Sequence, residues 1–404
     1  MPVSPPLNLS QRPAGRIRPE LESLGEVLAA RGNPQLAYPS VLIVGTNGKG
    51  STAAMLEAVF RAHGLYTGLF TSPHLVRVEE RVRLGGVAVD EQVLADAISV
   101  FDDSPDLTFF ETLTAAAFEI FRDSMVDVAI FEAGMGGSWD ATRLAESAIA
   151  GLTNVGSDHA AWLGADSQAI AYDKGRALAA AERAVIGSGV DDSILPAIDA
   201  PLARFARRLV TAEDAAGGRV NVRWEGAEIS LEMPLAGAFQ IANLELAVAL
   251  AVEASAADWM PSLDADRVRS ALEAVTWPGR LSVHRVAGRR LLVDCAHNLE
   301  AAAALAQHLE ELDTRFNLLF SCLGDKPVEA IAEVLRPHVG GVVVCPLDDE
   351  RAMPLSRLAD AFPDAEVAGG VRQALERLED PILAAGSIRL VGALLALEAK
   401  DAVV

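Results

Sequence analysis

Short apolar runs alternate with longer amphipathic stretches along most of the chain. Residues 40–44, 67–70, 126–131 and 148–152 are apolar and bounded by Gly, Asn, Ser or Pro, and they predict buried strands. Between them, residues 51–63, 91–101 and 111–124 carry apolar side chains at helical spacing. Strands that alternate with helices imply βαβ units and a mostly parallel sheet, because parallel neighbours need a crossover connection. Residues 219–224 and 227–233, separated by Glu225-Gly226, predict a small hairpin on the flank of this unit, and an Ala-rich helix follows over 239–254. Trp277-Pro278-Gly279-Arg280 then breaks the pattern, which sets the expected boundary between one domain over 1–277 and a second over 278–404. Beyond it the alternation restarts, with strands expected at 291–294, 317–321 and 342–345 and helices at 300–312, 328–335 and 371–378. The expected class is α/β, two domains of which the first is larger, with a cleft between them.

Composition narrows what such a protein does. The chain has 404 residues and a formal net charge of −22, which argues against bulk nucleic acid or an anionic membrane as partner, since both want a basic surface. A small anionic ligand in a local pocket is still compatible. Three cysteines, Cys295, Cys322 and Cys345, show no CxxC spacing, so neither a disulfide framework nor a zinc knuckle is supported. The start, MPVSPPLNLSQRPAGR, has no apolar core of a signal peptide, and no run is long enough to span a membrane, so a cytoplasmic location is expected. Of 34 Lys and Arg, the four lysines are Lys49, Lys174, Lys326 and Lys400. In a chain with so few lysines, each one is informative.

The first of them closes a phosphate-binding pattern. The run 41–44 leads directly into Gly45-Thr46-Asn47-Gly48-Lys49-Gly50-Ser51, and a helix follows. A helix N-terminus offers unpaired N–H groups and partial positive charge, and glycines let the backbone close around phosphate oxygens. Lys49 neutralises terminal phosphates in such a loop, and the Ser51 hydroxyl ligates Mg²⁺. The loop is a shorter variant, GxxGKxS rather than GxxxxGK[ST]. The first domain is therefore expected to hold a nucleotide in a P-loop-type site.

Several further blocks share one order along the chain. Gly32-Asn33-Pro34-Gln35 precedes the loop, and Thr71-Ser72-Pro73-His74-Leu75 follows it. Next come Phe131-Glu132-Ala133-Gly134-Met135-Gly136-Gly137-Ser138-Trp139-Asp140-Ala141-Thr142, then Thr153-Asn154-Val155-Gly156-Ser157-Asp158-His159, Trp162-Leu163-Gly164 and Lys174. Gln240, Asn243, Pro278-Gly279-Arg280, Asp294-Cys295-Ala296-His297-Asn298 and Asp325-Lys326 complete the series. Together these resemble the folylpolyglutamate synthase/dihydrofolate synthase family, a branch of the Mur ligases, over most of the chain.

The resemblance implies an ATP-dependent ligase that joins a carboxylate to the amine of L-glutamate through an acyl phosphate. It implies a large P-loop-type ATPase domain of mostly parallel sheet first, the Mur-ligase central-type ATP-binding domain, and a smaller Rossmann-like α/β domain second, which binds glutamate. Thr46, Asn47, Gly48, Lys49, Gly50 and Ser51 would hold ATP, with Asn243, Arg280 at the phosphates, and Asp294 from across the cleft. Ser51, Ser72 and Glu132 would hold one Mg²⁺ and His159 a second; His297 would lie near the reacting groups. Lys174 matches a lysine that the family carboxylates with CO₂, although its neighbours here, Tyr172-Asp173-Lys174-Gly175-Arg176-Ala177, differ from the usual ones. Arg77 and Asp140 fall to the pteroate or folate, and Lys326 to glutamate or to the nucleotide phosphates. Ser138 and Arg143 depart from the residues frequent in the family beside the pterin, and Trp139 either stacks on the ring or packs. The expected partners are dihydropteroate or a reduced folate, L-glutamate and ATP, and a monomer is expected.

Two other readings compete. A Mur ligase acting on a cell-wall precursor would usually carry an extra N-terminal domain, and the roughly 40 residues before the loop are expected to be too few for one. A nucleotide-dependent switch would need the phosphate loop but not Glu132, His159, Lys174 and Asp294 together.

Overall fold

The computed structural model describes Leu9, Arg12 and residues 21–156, 166–215 and 218–401. They divide into two compact units, Met1–Pro234 with Gln240–Val275, and Leu235–Phe239 with Thr276–Val404.

The first unit is built on an eight-stranded sheet. Its strands are β1 (Ser40–Val44), β2 (Thr67–Phe70), β3 (Val82–Leu84), β4 (Val87–Ala88), β5 (Val128–Glu132), β6 (Ile149–Leu152), β7 (Arg183–Ile186) and β8 (Arg204–Phe205), in the order β4-β3-β2-β5-β1-β6-β7-β8. From β2 to β8 across the sheet every pair is parallel, and the short β3–β4 hairpin adds antiparallel strands at one edge. All residues of β1, β2, β5 and β6 are buried, which is why their sequences are continuous apolar runs rather than alternating ones. Helices α1 (Glu22–Ala30), α2 (Lys49–Ala62), α3 (Glu91–Ser99), α4 (Phe109–Asp123), α5 (Ser167–Ala179), α6 (Gln240–Ala256) and α7 (Ala265–Glu273) complete the unit. A reciprocal capping box starts α4, with Thr108 bonded to the Glu111 N–H and Glu111 to the Thr108 N–H. Phe70, Phe118, Phe121 and Phe131 pack edge to face or tilted between α4 and the sheet, with Phe118 and Phe131 ring centres 5.2 Å apart.

Register places the chemistry. Ile43 pairs with Glu132 and Val44 with Leu152, so β1, β5 and β6 end level and their following loops leave the sheet at one edge. Open parallel sheets bind ligands outside the carboxyl ends of their strands, and the loops here begin at Gly45, Ala133 and Thr153.

The hairpin expected over 219–233 is one part of a three-stranded antiparallel sheet, β9 (Val210–Ala215), β10 (Arg219–Trp224) and β11 (Ala227–Glu232). Its third member, β9, reads Val-Thr-Ala-Glu-Asp-Ala with only Val210 buried, so it carries too little apolar signal to be seen in the pattern.

The second unit has a six-stranded sheet, β12 (Ser282–Val286), β13 (Arg289–Val293), β14 (Phe316–Phe320), β15 (Val339–Val344), β16 (Glu366–Val367) and β17 (Ile382–Ala385), in the order β12-β13-β17-β14-β15-β16. All neighbours are parallel except β12, which lies antiparallel at the edge. Helices α8 (Leu299–Glu311), α9 (Val328–Leu335), α10 (Leu355–Ala361), α11 (Val371–Arg377) and α12 (Ile388–Asp401) surround a core around Phe320 and Phe362. The sequence pattern did not predict β17, although it is a buried run of the same length as β2, nor α12. Among the described residues, no helix is long and apolar enough to cross a membrane.

Candidate active site

The strand–turn–helix expected around Lys49 is present. Gly48, with φ of 84°, is the N-cap residue of α2, and its carbonyl accepts the Thr52 N–H at 2.9 Å. Both glycines that bracket the turn are required by space as well as by φ. A Cβ on Gly45 would overlap Thr153 Oγ1, and one on Gly48 would overlap Asn243 Oδ1. The turn is pinned to the end of β6: the Thr46 N–H donates to Asn154 O at 3.1 Å and the Asn47 N–H to Asn154 Oδ1 at 2.9 Å. Thr153 Oγ1 donates to Asn47 O at 2.6 Å, and the Gly156 N–H to Thr46 Oγ1 at 2.8 Å.

Two lysines converge on this backbone. Lys49 Nζ donates to Gly45 O at 3.1 Å and Thr46 O at 3.0 Å. Lys174, from the middle of α5 and only 2% exposed, donates from Nζ to the same Gly45 O at 3.2 Å. Lysines are rarely buried without partners, and here the sheet's parallel register brings a residue more than a hundred positions away onto the loop. The helix that carries Lys174 abuts the turn after β5. A Cβ on Gly137 would lie 2.9 Å from Asp173 O and 3.0 Å from Lys174 Cα, so only glycine admits this approach. Ser138 secures it, donating from both N and Oγ to Asp173 Oδ1.

The oxygen groups suited to a metal lie close by in the chain order of the sheet. Ser51 Oγ, in the first turn of α2, is 1% exposed and has no hydrogen-bond partner among the described residues. Glu132 ends β5 as a buried carboxylate, and its Oε2 accepts the Ser72 N–H at 3.1 Å. A buried hydroxyl left unbonded and a buried carboxylate are hard-oxygen donors, which fit Mg²⁺ or a similar divalent ion. Among the described residues no group of three or more His, Cys, Asp or Glu gathers as a metal cluster, and His159 lies outside the described residues.

Gln240 and Asn243, at the start of α6, are buried rather than on a helix surface. Asn243 Nδ2 donates to Gln240 Oε1 at 2.8 Å, while Gln240 Nε2 has no partner among the described residues. The segment after β2 curls around Glu80, whose carboxylate accepts the N–H groups of Leu75, Val76 and Arg77 at 2.7, 3.0 and 2.7 Å. Arg77 itself is half exposed and pairs with Glu79 and Glu91 at 3.2 and 3.3 Å. Asp140 is buried: Oδ1 accepts from the Thr142 N–H at 3.0 Å and Thr142 Oγ1 at 2.5 Å, and Oδ2 from the Met135 N–H at 2.9 Å. Burial pushes its carboxyl up, against the pull of those hydrogen bonds. Arg143 Nη1 holds the same turn, donating to Ser138 O at 2.7 Å.

In the second unit, Asp294 follows β13 and accepts two N–H groups, Leu281 at 3.0 Å on Oδ2 and Ala296 at 2.8 Å on Oδ1. Burial raises this carboxyl, with Arg280 opposing the shift. His297 Nδ1 lies 2.7 Å from Cys295 O, and Asn298 Oδ1 caps α8 at the Ala301 N–H, 2.8 Å away. Lys326 is buried beside Asp325 at 3.3 Å. The three cysteines are free and buried, with their thiols pushed up to about 12, so none is a thiolate nucleophile at neutral pH.

Gly48→Ala is expected to lose ATP turnover and to lower stability by at least about 1 kcal/mol, the cost of a left-handed Cβ before any clash. Thermal denaturation and ADP release check both effects; a variant with native values would contradict the loop's shape.

The Mur ligase middle domain matches residues 43–251, and the Mur ligase glutamate ligase domain matches residues 279–393. The chain is 37% identical to a dihydrofolate synthase/folylpolyglutamate synthase of Mycobacterium tuberculosis, over 94% of this chain and 85% of that one. Its fold is similar to Mycobacterium tuberculosis folylpolyglutamate synthase complexed with ADP and AMPPCP, with a TM-score of 0.86 and 33% identity over 96% of each chain. It is also similar to a bifunctional folylpolyglutamate synthase/dihydrofolate synthase from Yersinia pestis complexed with AMPPNP and a Mn ion. There the TM-score is 0.83 and the identity 26%, over 96% of this chain and 95% of that one.

Proposed function

The chain belongs to the folylpolyglutamate synthase/dihydrofolate synthase family of Mur ligases, and from that premise we propose that it adds L-glutamate to dihydropteroate, to reduced folates or to both, at the expense of ATP. The observation that carries this reading is the convergence of Lys49 and Lys174 on Gly45 O. A loop lysine alone serves any nucleotide site. A second, buried lysine on the same backbone is more than a phosphate loop requires, and it answers to the lysine that the family carboxylates.

The chemistry follows from the leaving group. A carboxylate cannot expel oxide, so its oxygen first attacks the γ-phosphorus of ATP; the new O–P bond forms as the bond to ADP breaks. The glutamate amine, having lost its ammonium proton, then attacks the acyl carbon, and the C–O bond breaks to release inorganic phosphate. In this reading the N–H groups of Gly48 to Ser51 cradle the phosphates and Lys49 supplies fixed positive charge. Ser51, Ser72 and Glu132 hold one divalent ion and His159 a second, and the ions neutralise phosphate charge when bound. Asn243, Arg280 and Asp294 serve the nucleotide, His297 the reacting groups, Arg77 and Asp140 the pteroate, and Lys326 the glutamate. Lys174 takes up CO₂: the neutral amine adds to carbon and releases a proton, leaving a carbamate. A monomer in the cytoplasm goes with this reading.

ADP release from the purified chain should require both a pteroate and glutamate. Release that ignores the amine acceptor would favour a nucleotide switch, and release with another carboxylate only would move the substrate elsewhere in the superfamily. Comparing dihydropteroate with tetrahydrofolate as acceptor then separates one activity from two.

A further inference from the structure

Arg280 sits in an unusual piece of backbone. The residues on either side of it, Gly279 and Leu281, have φ of 77° and 46°, a region that glycine enters freely and leucine does not. Such a turn persists only where its surroundings hold it. Two side chains do so, one on each side of the arginine. The Leu281 N–H donates to Asp294 Oδ2 at 3.0 Å, and the Gly279 N–H donates to Ser282 Oγ at 2.8 Å.

The second of these is the end of a relay. Ser282 Oγ lies 2.9 Å from His284 Nε2, and His284 Nδ1 lies 3.0 Å from Glu398 Oε2. The other oxygen of Glu398 accepts the Arg285 N–H at 3.2 Å. Ser282 and His284 share one face of β12, being two residues apart, and Glu398 comes from α12, which packs on that strand. One proton arrangement satisfies every atom. With the imidazole proton on Nδ1, donated to Glu398, Nε2 accepts the Ser282 hydroxyl proton, and Oγ keeps its lone pairs for the Gly279 N–H. A hydroxyl that would otherwise rotate is thereby fixed at the turn.

We propose that Ser282 and His284, anchored by Glu398, are positioning residues for Arg280: they hold the turn that aims its guanidinium. The proposal rests on the reading of Arg280 as a nucleotide-phosphate ligand. Removing the serine hydroxyl leaves the guanidinium present but its backbone less constrained, so nucleotide affinity falls without loss of a contact to the nucleotide. Because the effect passes through Arg280, it disappears when Arg280 is already gone.

A double-mutant cycle on the full chain tests this, with ADP affinity measured by calorimetry for Ser282→Ala, Arg280→Ala and the pair. Ser282→Ala should weaken ADP about 3- to 10-fold in the native background, the size of one lost hydrogen bond, and by less than about twofold beside Arg280→Ala. Ser282→Thr, which keeps the oxygen, should restore affinity, and His284→Ala should follow Ser282→Ala in direction. Equal losses in both backgrounds, or no loss in the native one, overturn the positioning role. No loss in Arg280→Ala by itself overturns instead the assignment of Arg280 to the phosphates.

Discussion

Replacing Lys49 by alanine is expected to lower ATP turnover by at least about a hundredfold, the loss seen when one fixed group that meets developing charge is removed. The fold should survive the change. Among the described residues Lys49 Nζ bonds only to the carbonyls of Gly45 and Thr46, within its own loop, and the loop is held independently by Thr153 and Asn154. Its side chain therefore contributes charge rather than packing, and the melting temperature should move little. Steady-state ADP release and thermal denaturation on the same preparation check the two halves. Native turnover would remove the nucleotide assignment, whereas a large drop in stability would show that the lysine also holds the loop together. Arginine should not substitute: its planar, longer guanidinium does not fit a site where a compact ammonium meets two carbonyls.

The second large effect is expected at Lys174. Alanine there should cost about a hundredfold or more in kcat, and short carboxylic acids such as acetate or propionate should restore part of it. The reason is geometric as much as chemical. Lys174 is 2% exposed, its Nζ reaches Gly45 O, and Gly137 and Ser138 hold the helix that carries it. Removing the side chain leaves space where the proposed carbamate would lie, and a small carboxylate supplies the same two oxygens. Burial disfavours the charged form of any amine, and only the neutral amine adds CO₂. Full activity in Lys174→Ala would take the carbamate out of the mechanism. Loss without rescue by any acid would leave the lysine acting through its ammonium.

Much of the α/β architecture was legible in sequence. The runs at 40–44 and 67–70 are β1 and β2 to the residue, and the helix at 328–335 is α9. These segments are legible because burial on both faces of a parallel sheet demands unbroken apolar runs, and such runs are visible without knowing their neighbours. What escaped was structure with weak local signal. Strand β9 is mostly polar, and β12 alternates exposed and half-buried positions at a sheet edge. Each is an edge strand held by pairing with its neighbour, and pairing leaves little trace in the strand itself.

The candidate site divides along the same line. The phosphate loop was readable because strand, turn and helix are consecutive, and their requirement for glycines and a lysine is local. That Gly48 abuts Asn243, that Lys49 and Lys174 share one carbonyl, and that Ser138 holds Asp173 were decided only by the tertiary structure. The same is true of the line from Gly279 through Ser282 and His284 to Glu398, in which Gly279 alone belongs to one of the blocks that the sequence singles out. The sequence by itself determined which residue types are available: a short phosphate loop, carboxylates at strand ends, and three lysines inside ligase-like blocks of an arginine-dominated chain. Sheet register and helix packing decided which of them meet. The physical reason is range: backbone conformation and helix-end charge act over a few consecutive residues, whereas a hydrogen bond between residues a hundred positions apart exists only once the sheet has brought their strands level.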